Sequence, residues 1–217
     1  MRRLVTPRDR DIYTFIDLVG LCTARQVKDI FFRDVDITKT YQRLRVLASE
    51  GLIKVSKVGL NNYYYTGKKT SQKMLEHDLK TTDVITYLIT NGAQILNFKR
   101  NKVIGLTLGA PIIADGYVAY KIKTGSKTYK RHFIIEVQKS VQFVPHQIHG
   151  ALYTCIQKYN HDSVAIGLDN LTAENGFKKL PPLLVITNIK DNTSFSLNTP
   201  LVKLPYNITE DWELLIR

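Results

Sequence analysis

The chain has 217 residues, 44% hydrophobic and 10% aromatic, with 31 Lys plus Arg against 19 Asp plus Glu, a formal charge of +12. That apolar content excludes a disordered chain, no run reaches the ~20 apolar residues of a membrane helix, and two distant cysteines, Cys22 and Cys155, exclude a disulfide framework or a Cys-rich zinc cluster. What remains is a basic, cytoplasmic protein of one or two domains whose charge points to nucleic acid and not to a membrane.

The N-terminal MRRLVTPRDRDIY has no apolar stretch behind its charge, so no signal peptide is expected. Ile12, Phe15, Ile16 and Val19 recur at helical spacing. Thr6 is the expected N-cap, Pro7 the first helical residue, and Gly20 the stop. A second short helix, Ala24 to Phe32, follows Thr23 and turns Val27, Ile30 and Phe31 inward. A third runs from Asp36 or Thr38 to Glu50, with Tyr41, Leu44, Leu47 and Ala48 apolar and Gly51 behind it. The period then changes from helical to alternating. Residues 52–58, the turn Gly59-Leu60-Asn61-Asn62 and residues 63–66 predict a β-hairpin.

Three helices followed by a hairpin predict a winged helix-turn-helix over residues 1–70. Lys39, Gln42, Arg43 and Arg45 decorate the third helix. Arg and Gln there could reach base edges in a major groove. Lys57, Asn61 and Asn62 on the hairpin would touch the backbone or the minor groove. Residues 1–80 carry +7 and residues 81–217 carry +5, so the basic density is higher at this end. The plainer reading is a small helical subdomain with a solvated charged face.

Residues 71–217 are expected to form a second, α/β domain. Helices are predicted over 68–77 and 81–91, then strands over 93–98, 111–120 and 131–138, with TGSKTYK as a hairpin turn between the last two. A helix over 145–159 and an apolar strand over 182–187 follow. Two acids, Asp115 and Glu136, interrupt apolar strands. A buried carboxylate is costly unless it is paired or holds a cation. Gln138 shares the Glu136 face of its strand, and Lys139 points the other way.

An Asp on one strand of a hairpin and E-x-K on the next is the pattern of the PD-(D/E)XK nucleases. Here it reads I-A-Asp115-Gly and Glu136-Val-Gln138, with Gln where the pattern has Lys. Asp115, Glu136 and Gln138 are thus the candidate catalytic residues. Asp115 and Glu136 are the candidate ligands for Mg²⁺ or Mn²⁺, since carboxylates suit hard cations and a bound metal lowers the pKa of its water. The competing reading makes Asp115 a turn residue and Glu136 an ordinary ion-pair partner. His146 and His149 stand at i, i+3 on the predicted helix, and Gln147 and Tyr153 lie beside them, weaker candidates for metal or substrate contact. No Walker A, GxGxxG or GxSxG motif is present.

TARQVKDIFF, residues 40–53, Tyr63-Tyr64-Tyr65-Thr66-Gly67, His77-Asp78-Leu79, Asp115 and Glu136-Val137 occur in succession. That succession, over roughly residues 8–190, resembles the replication-relaxation family of plasmids and other mobile elements. The resemblance implies double-stranded DNA as partner, a winged helix joined to a PD-(D/E)XK nuclease-like domain, and a role in replication, relaxation or mobilisation. The second domain would add DNA contacts, form a homodimer or meet replication or mobilisation proteins. An active metal-dependent nuclease and a plain winged-helix repressor are the competing functions.

Overall fold

A computed structural model describes residues 5–72, 74–138, 156–187, 197 and 199–216. The fold is mixed α+β, and the chain divides into two units, Met1–Gly92 and Ala93–Arg217. The division comes later than the expected 70/71. It splits the formal charge evenly, +6 in each unit.

The first unit contains α1 (Pro7–Val19), β1 (Cys22–Thr23), α2 (Ala24–Phe31), α3 (Ile37–Ser49), β2 (Lys54–Val58), β3 (Asn61–Tyr65) and α4 (Leu75–Thr90). Both early helices open on capping boxes, Thr6 with Asp9 and Thr23 with Gln26. Each box satisfies amide donors that a helix start leaves without partners. Gly20 ends α1 with φ +71°, a left-handed conformation that costs glycine nothing. Strands β1, β3 and β2 form an antiparallel sheet in that order. Ile12, Ile16, Val27, Leu44, Leu47, Tyr64, Ile85 and Leu88 are buried in the core.

Three local expectations are corrected. Tyr41 is exposed, and Thr40 takes the inward position on α3 beside Leu44 and Leu47. The hairpin turn is only Gly59-Leu60, so Asn61 and Asn62 belong to β3. The two helices expected over 68–77 and 81–91 are one helix, α4. It joins the first unit because α2 is tied to it. Gln26 Nε2 donates to the Leu79 carbonyl at 3.1 Å and to Asp83 Oδ1 at 2.7 Å.

The second unit contains β4 (Gln94–Thr107), β5 (Ala110–Thr124), β6 (Lys127–Gln138), a 3-10 turn at Lys158–Asn160, α5 (Asp162–Glu174), β7 (Leu183–Thr187), β8 (Leu201–Leu204) and a 3-10 segment at Glu210–Leu215. The sheet order is β4-β5-β6-β7-β8. The first three strands form an antiparallel meander, and β7 and β8 add in parallel. The step from β6 to the parallel β7 needs a crossover, which contains α5. That helix packs directly on β4. Gly167 passes so close to the Ile104 carbonyl that no side chain fits there, and Ser163 Oγ bonds both the Leu106 amide and its carbonyl, at 3.1 and 2.6 Å. Ile104, Tyr117, Ile134, Ile156, Val164, Leu168 and Val185 belong to the core under α5. The C-terminal segment is held to the sheet by the Tyr120 hydroxyl, which donates to the Leu215 carbonyl.

Strands β4, β5 and β6 run longer than the sequence suggests, and α5 and β8 are additional to it. Of the helix expected over 145–159, the described part is Ile156–Gln157 and the 3-10 turn. His146, Gln147, His149, Tyr153, Lys139 and Cys155 lie outside the described residues.

Candidate functional site

The two acids singled out in the sequence meet in the second unit. The β5–β6 ladder ends at the Gly116–Ile135 pair, which sets Asp115 and Glu136 on the next rung. At that point the Asp115 carboxylate replaces the missing strand partner. Its Oδ2 accepts from the Val137 amide at 2.7 Å. Glu136 is buried, and its Oε1 accepts from the Tyr159 hydroxyl. Lys158 Nζ stands 2.7 Å from the same oxygen and donates to the Ile113 carbonyl at 2.8 Å.

These contacts set the charge balance. Burial pushes the Glu136 carboxyl above its ordinary range; the Lys158 ammonium works against that push, and the Asp115 carboxylate adds to it. Gln138 is the last residue of β6, two positions beyond Glu136 and paired in register with Thr187. The cation that the sequence pattern lacks at 138 is therefore present at the acids, supplied by Lys158 from a different element. Sequence reasoning missed both Lys158 and Tyr159. The short KYN turn that carries them matches no motif, and only the crossover brings it to β6.

Two carboxylates form a donor set that suits Mg²⁺, which binds through one or two carboxylates and keeps several waters. Among the described residues, no group of three or more His, Cys, Asp or Glu side chains could hold a metal ion. Among the described residues, Asp115 and Glu136 would hold any metal here.

The first unit carries the basic helix. Lys39, Gln42 and Arg45 are exposed on α3 at three-residue spacing. They line an open hollow of about 780 Å³ together with Phe32, Arg43, Val46 and Ser49. Arg43 is placed differently from its sequence neighbours. Its Nε donates to Asp9 Oδ1 at 2.5 Å, and its Nη2 bonds Asp9 Oδ2. The Arg43 side chain is 26% exposed and that of Asp9 only 1%. Burial raises the Asp9 carboxyl, but the hydrogen bonds from Arg43 and Thr6 outweigh it and hold the group at about 2. Arg43 thus clamps α3 to the first turn of α1, and the outward face is left to Lys39, Gln42 and Arg45. On the hairpin, Lys57 and Asn62 form a cross-strand pair, and Asn61 stands next to the turn; all three are exposed.

No helix among the described residues is long and apolar enough to cross a membrane. Comparison with protein-family models, with curated proteins and with solved structures finds no match to this chain.

Proposed function

We propose that the chain is a double-stranded-DNA-binding protein of a plasmid or other mobile element, acting in replication, relaxation or mobilisation. Its first unit is read as a winged helix-turn-helix and its second as a PD-(D/E)XK-like domain. The observation that carries the reading is the exposed row Lys39, Gln42 and Arg45 on α3. A helix bearing cationic and amide donors along one outward face suits the major groove, where Arg bonds guanine and Gln bonds adenine. The antiparallel β2–β3 hairpin after α3, with Lys57, Asn61 and Asn62, suits backbone contacts beside that groove. The meander, crossover and parallel strand of the second unit, with Asp115 and Glu136 side by side, support the nuclease-like reading. The tie to a mobile element comes from the family resemblance. A homodimer would bring two reading helices to two half-sites. Selection from a random duplex library by the full chain tests the reading. An enriched sequence with wild-type protein, lost with Arg45→Ala, is expected; no enrichment contradicts it.

A metal-dependent DNA nuclease is the second reading, favoured by the Lys158–Glu136 contact. Asp115 and Glu136 would hold Mg²⁺ or Mn²⁺. The bound metal would supply a water of lowered pKa and a counter-charge for the phosphate. Lys158 would give the positive charge that Gln138 cannot, and Tyr159 orients the Glu136 carboxylate. Supercoiled plasmid incubated with either metal decides it. Nicked or linear product that disappears in Asp115→Asn and Glu136→Gln is expected. No product with either metal rejects it.

A further inference from the structure

The acid pair leaves the +6 of the second unit unexplained. Part of that charge collects toward the start of β6, away from Glu136 at its end. A hollow of about 710 Å³ opens there, lined by Lys130, Arg131, Phe177, Lys178, Lys179 and Pro200, among others. Four of its lining residues are Lys or Arg, and no described one is a carboxylate. Lys130, Lys178 and Lys179 are exposed, and Lys121 stands opposite Lys130 across the β5–β6 ladder.

The floor differs from the rim. The His132 ring stacks on Phe177 with centroids 3.7 Å apart and planes 13° from parallel. His132 Nε2 bonds the Lys179 carbonyl at 2.9 Å, which holds the 177–180 loop against β6. Burial pushes the imidazole down from its ordinary value, so the stacked pair stays neutral at physiological pH. The hollow thus combines a neutral aromatic and apolar floor with a cationic rim. Its volume lies within the roughly 300–1,000 Å³ of pockets that enclose organic groups.

A ligand complementary to both parts joins anionic groups to flat, weakly polar rings. Single-stranded nucleic acid offers both at once, because its bases are unstacked and its phosphates run alongside. A duplex buries its base faces. An acidic peptide would satisfy the rim and leave the floor empty. We propose that this hollow binds single-stranded nucleic acid, with one base against the Phe177 floor and the flanking phosphates on Lys130, Lys178 and Lys179. This site belongs to the second unit and the α3 face to the first, and it does not depend on the role of that face.

The test is fluorescence anisotropy of a labelled twelve-residue oligothymidylate with the full chain, across a salt series. Lys178→Ala/Lys179→Ala removes two exposed side chains and leaves the carbonyl that His132 uses. The double variant should bind about tenfold more weakly, with a salt slope smaller by about 1.4, since each phosphate contact on a single strand contributes roughly 0.7. Phe177→Leu should weaken binding with the salt slope unchanged, the mark of lost stacking. Lys99→Ala, at an exposed lysine on β4 outside both surfaces, should bind the strand as wild type does. Wild-type affinity in the double variant overturns the proposal. So does an equal loss in Lys99→Ala, or displacement of the strand by thymidine monophosphate or polyglutamate at matched charge concentration.

Discussion

Lys158 Nζ lies 2.7 Å from Glu136 Oε1, although the two residues belong to different elements and the β6 motif itself ends in Gln138. The ammonium is partly exposed and the carboxylate is buried. Lys158 is therefore the counter-charge that Glu136 meets when it loses its proton inside the sheet. Removing one partner of such a pair leaves a buried charge uncompensated, which costs more than the pair contributes.

Glu136 sets a pH dependence for the second unit. Its carboxyl is raised by burial, so the folded chain keeps a proton that the unfolded chain has already lost. Stability therefore falls as pH climbs above about 4.5 toward the folded value. Glu136→Gln should flatten the decline between pH 5 and pH 8. Lys158→Met should steepen it and cost about 3 kcal/mol at pH 8. Urea unfolding midpoints at the two pH values check both; parallel curves for all three proteins would contradict the assignment.

The Arg43–Asp9 clamp predicts the opposite limb. Asp9 is held at about 2, below its unfolded value, so its contribution is present above about pH 4 and is lost as pH falls toward 2. Arg43→Ala should cost about 1–3 kcal/mol at neutral pH, because it leaves the buried Asp9 carboxylate without its charged partner. It should also flatten the acid limb. Arg45→Ala should leave both unchanged, because Arg45 is exposed. Thermal melts from pH 2 to 7 separate the two arginines.

Gly167→Ala tests how closely α5 rests on β4. The added Cβ would overlap the Ile104 carbonyl oxygen, which is backbone and cannot swing away. A loss of about 1–3 kcal/mol is expected in the urea midpoint. Gly67→Ala, where a Cβ meets nothing, should be close to neutral.

The pattern of the first unit was readable because its signals are local. Thr6-Pro7, Thr23 and Gly20 sit at helix ends, where capping is decided by the nearest three or four residues. The errors arose where tertiary contacts override local preference. Residues 78–80 fall between the two predicted helices, so α4 reads as two. Yet Thr81 and Thr82 are fully buried, and their hydroxyls return to the carbonyls of His77, Leu21 and Asp78. The sequence reading assigns no element to 160–181 and so lacks α5, whose Gly167 lets the helix approach the sheet. Arg43 shares a side with Lys39 by spacing, but its length lets it reach back to a buried aspartate. In the site, Asp115 and Glu136 were visible as acids in apolar strands. Lys158 was not, because the spacing that predicts a helix over 145–159 does not tell which of its residues meets Glu136.

The row on α3 carries the functional account, so it is the place to measure. The full chain should bind its selected duplex with an affinity that falls steeply with salt, as phosphate contacts require. On that duplex, Gln42→Ala and Arg45→Ala should each lose about 1–3 kcal/mol while binding random DNA almost as wild type does. Lys39→Ala, Gln42→Ala and Arg45→Ala all binding the selected duplex like wild type would contradict the account.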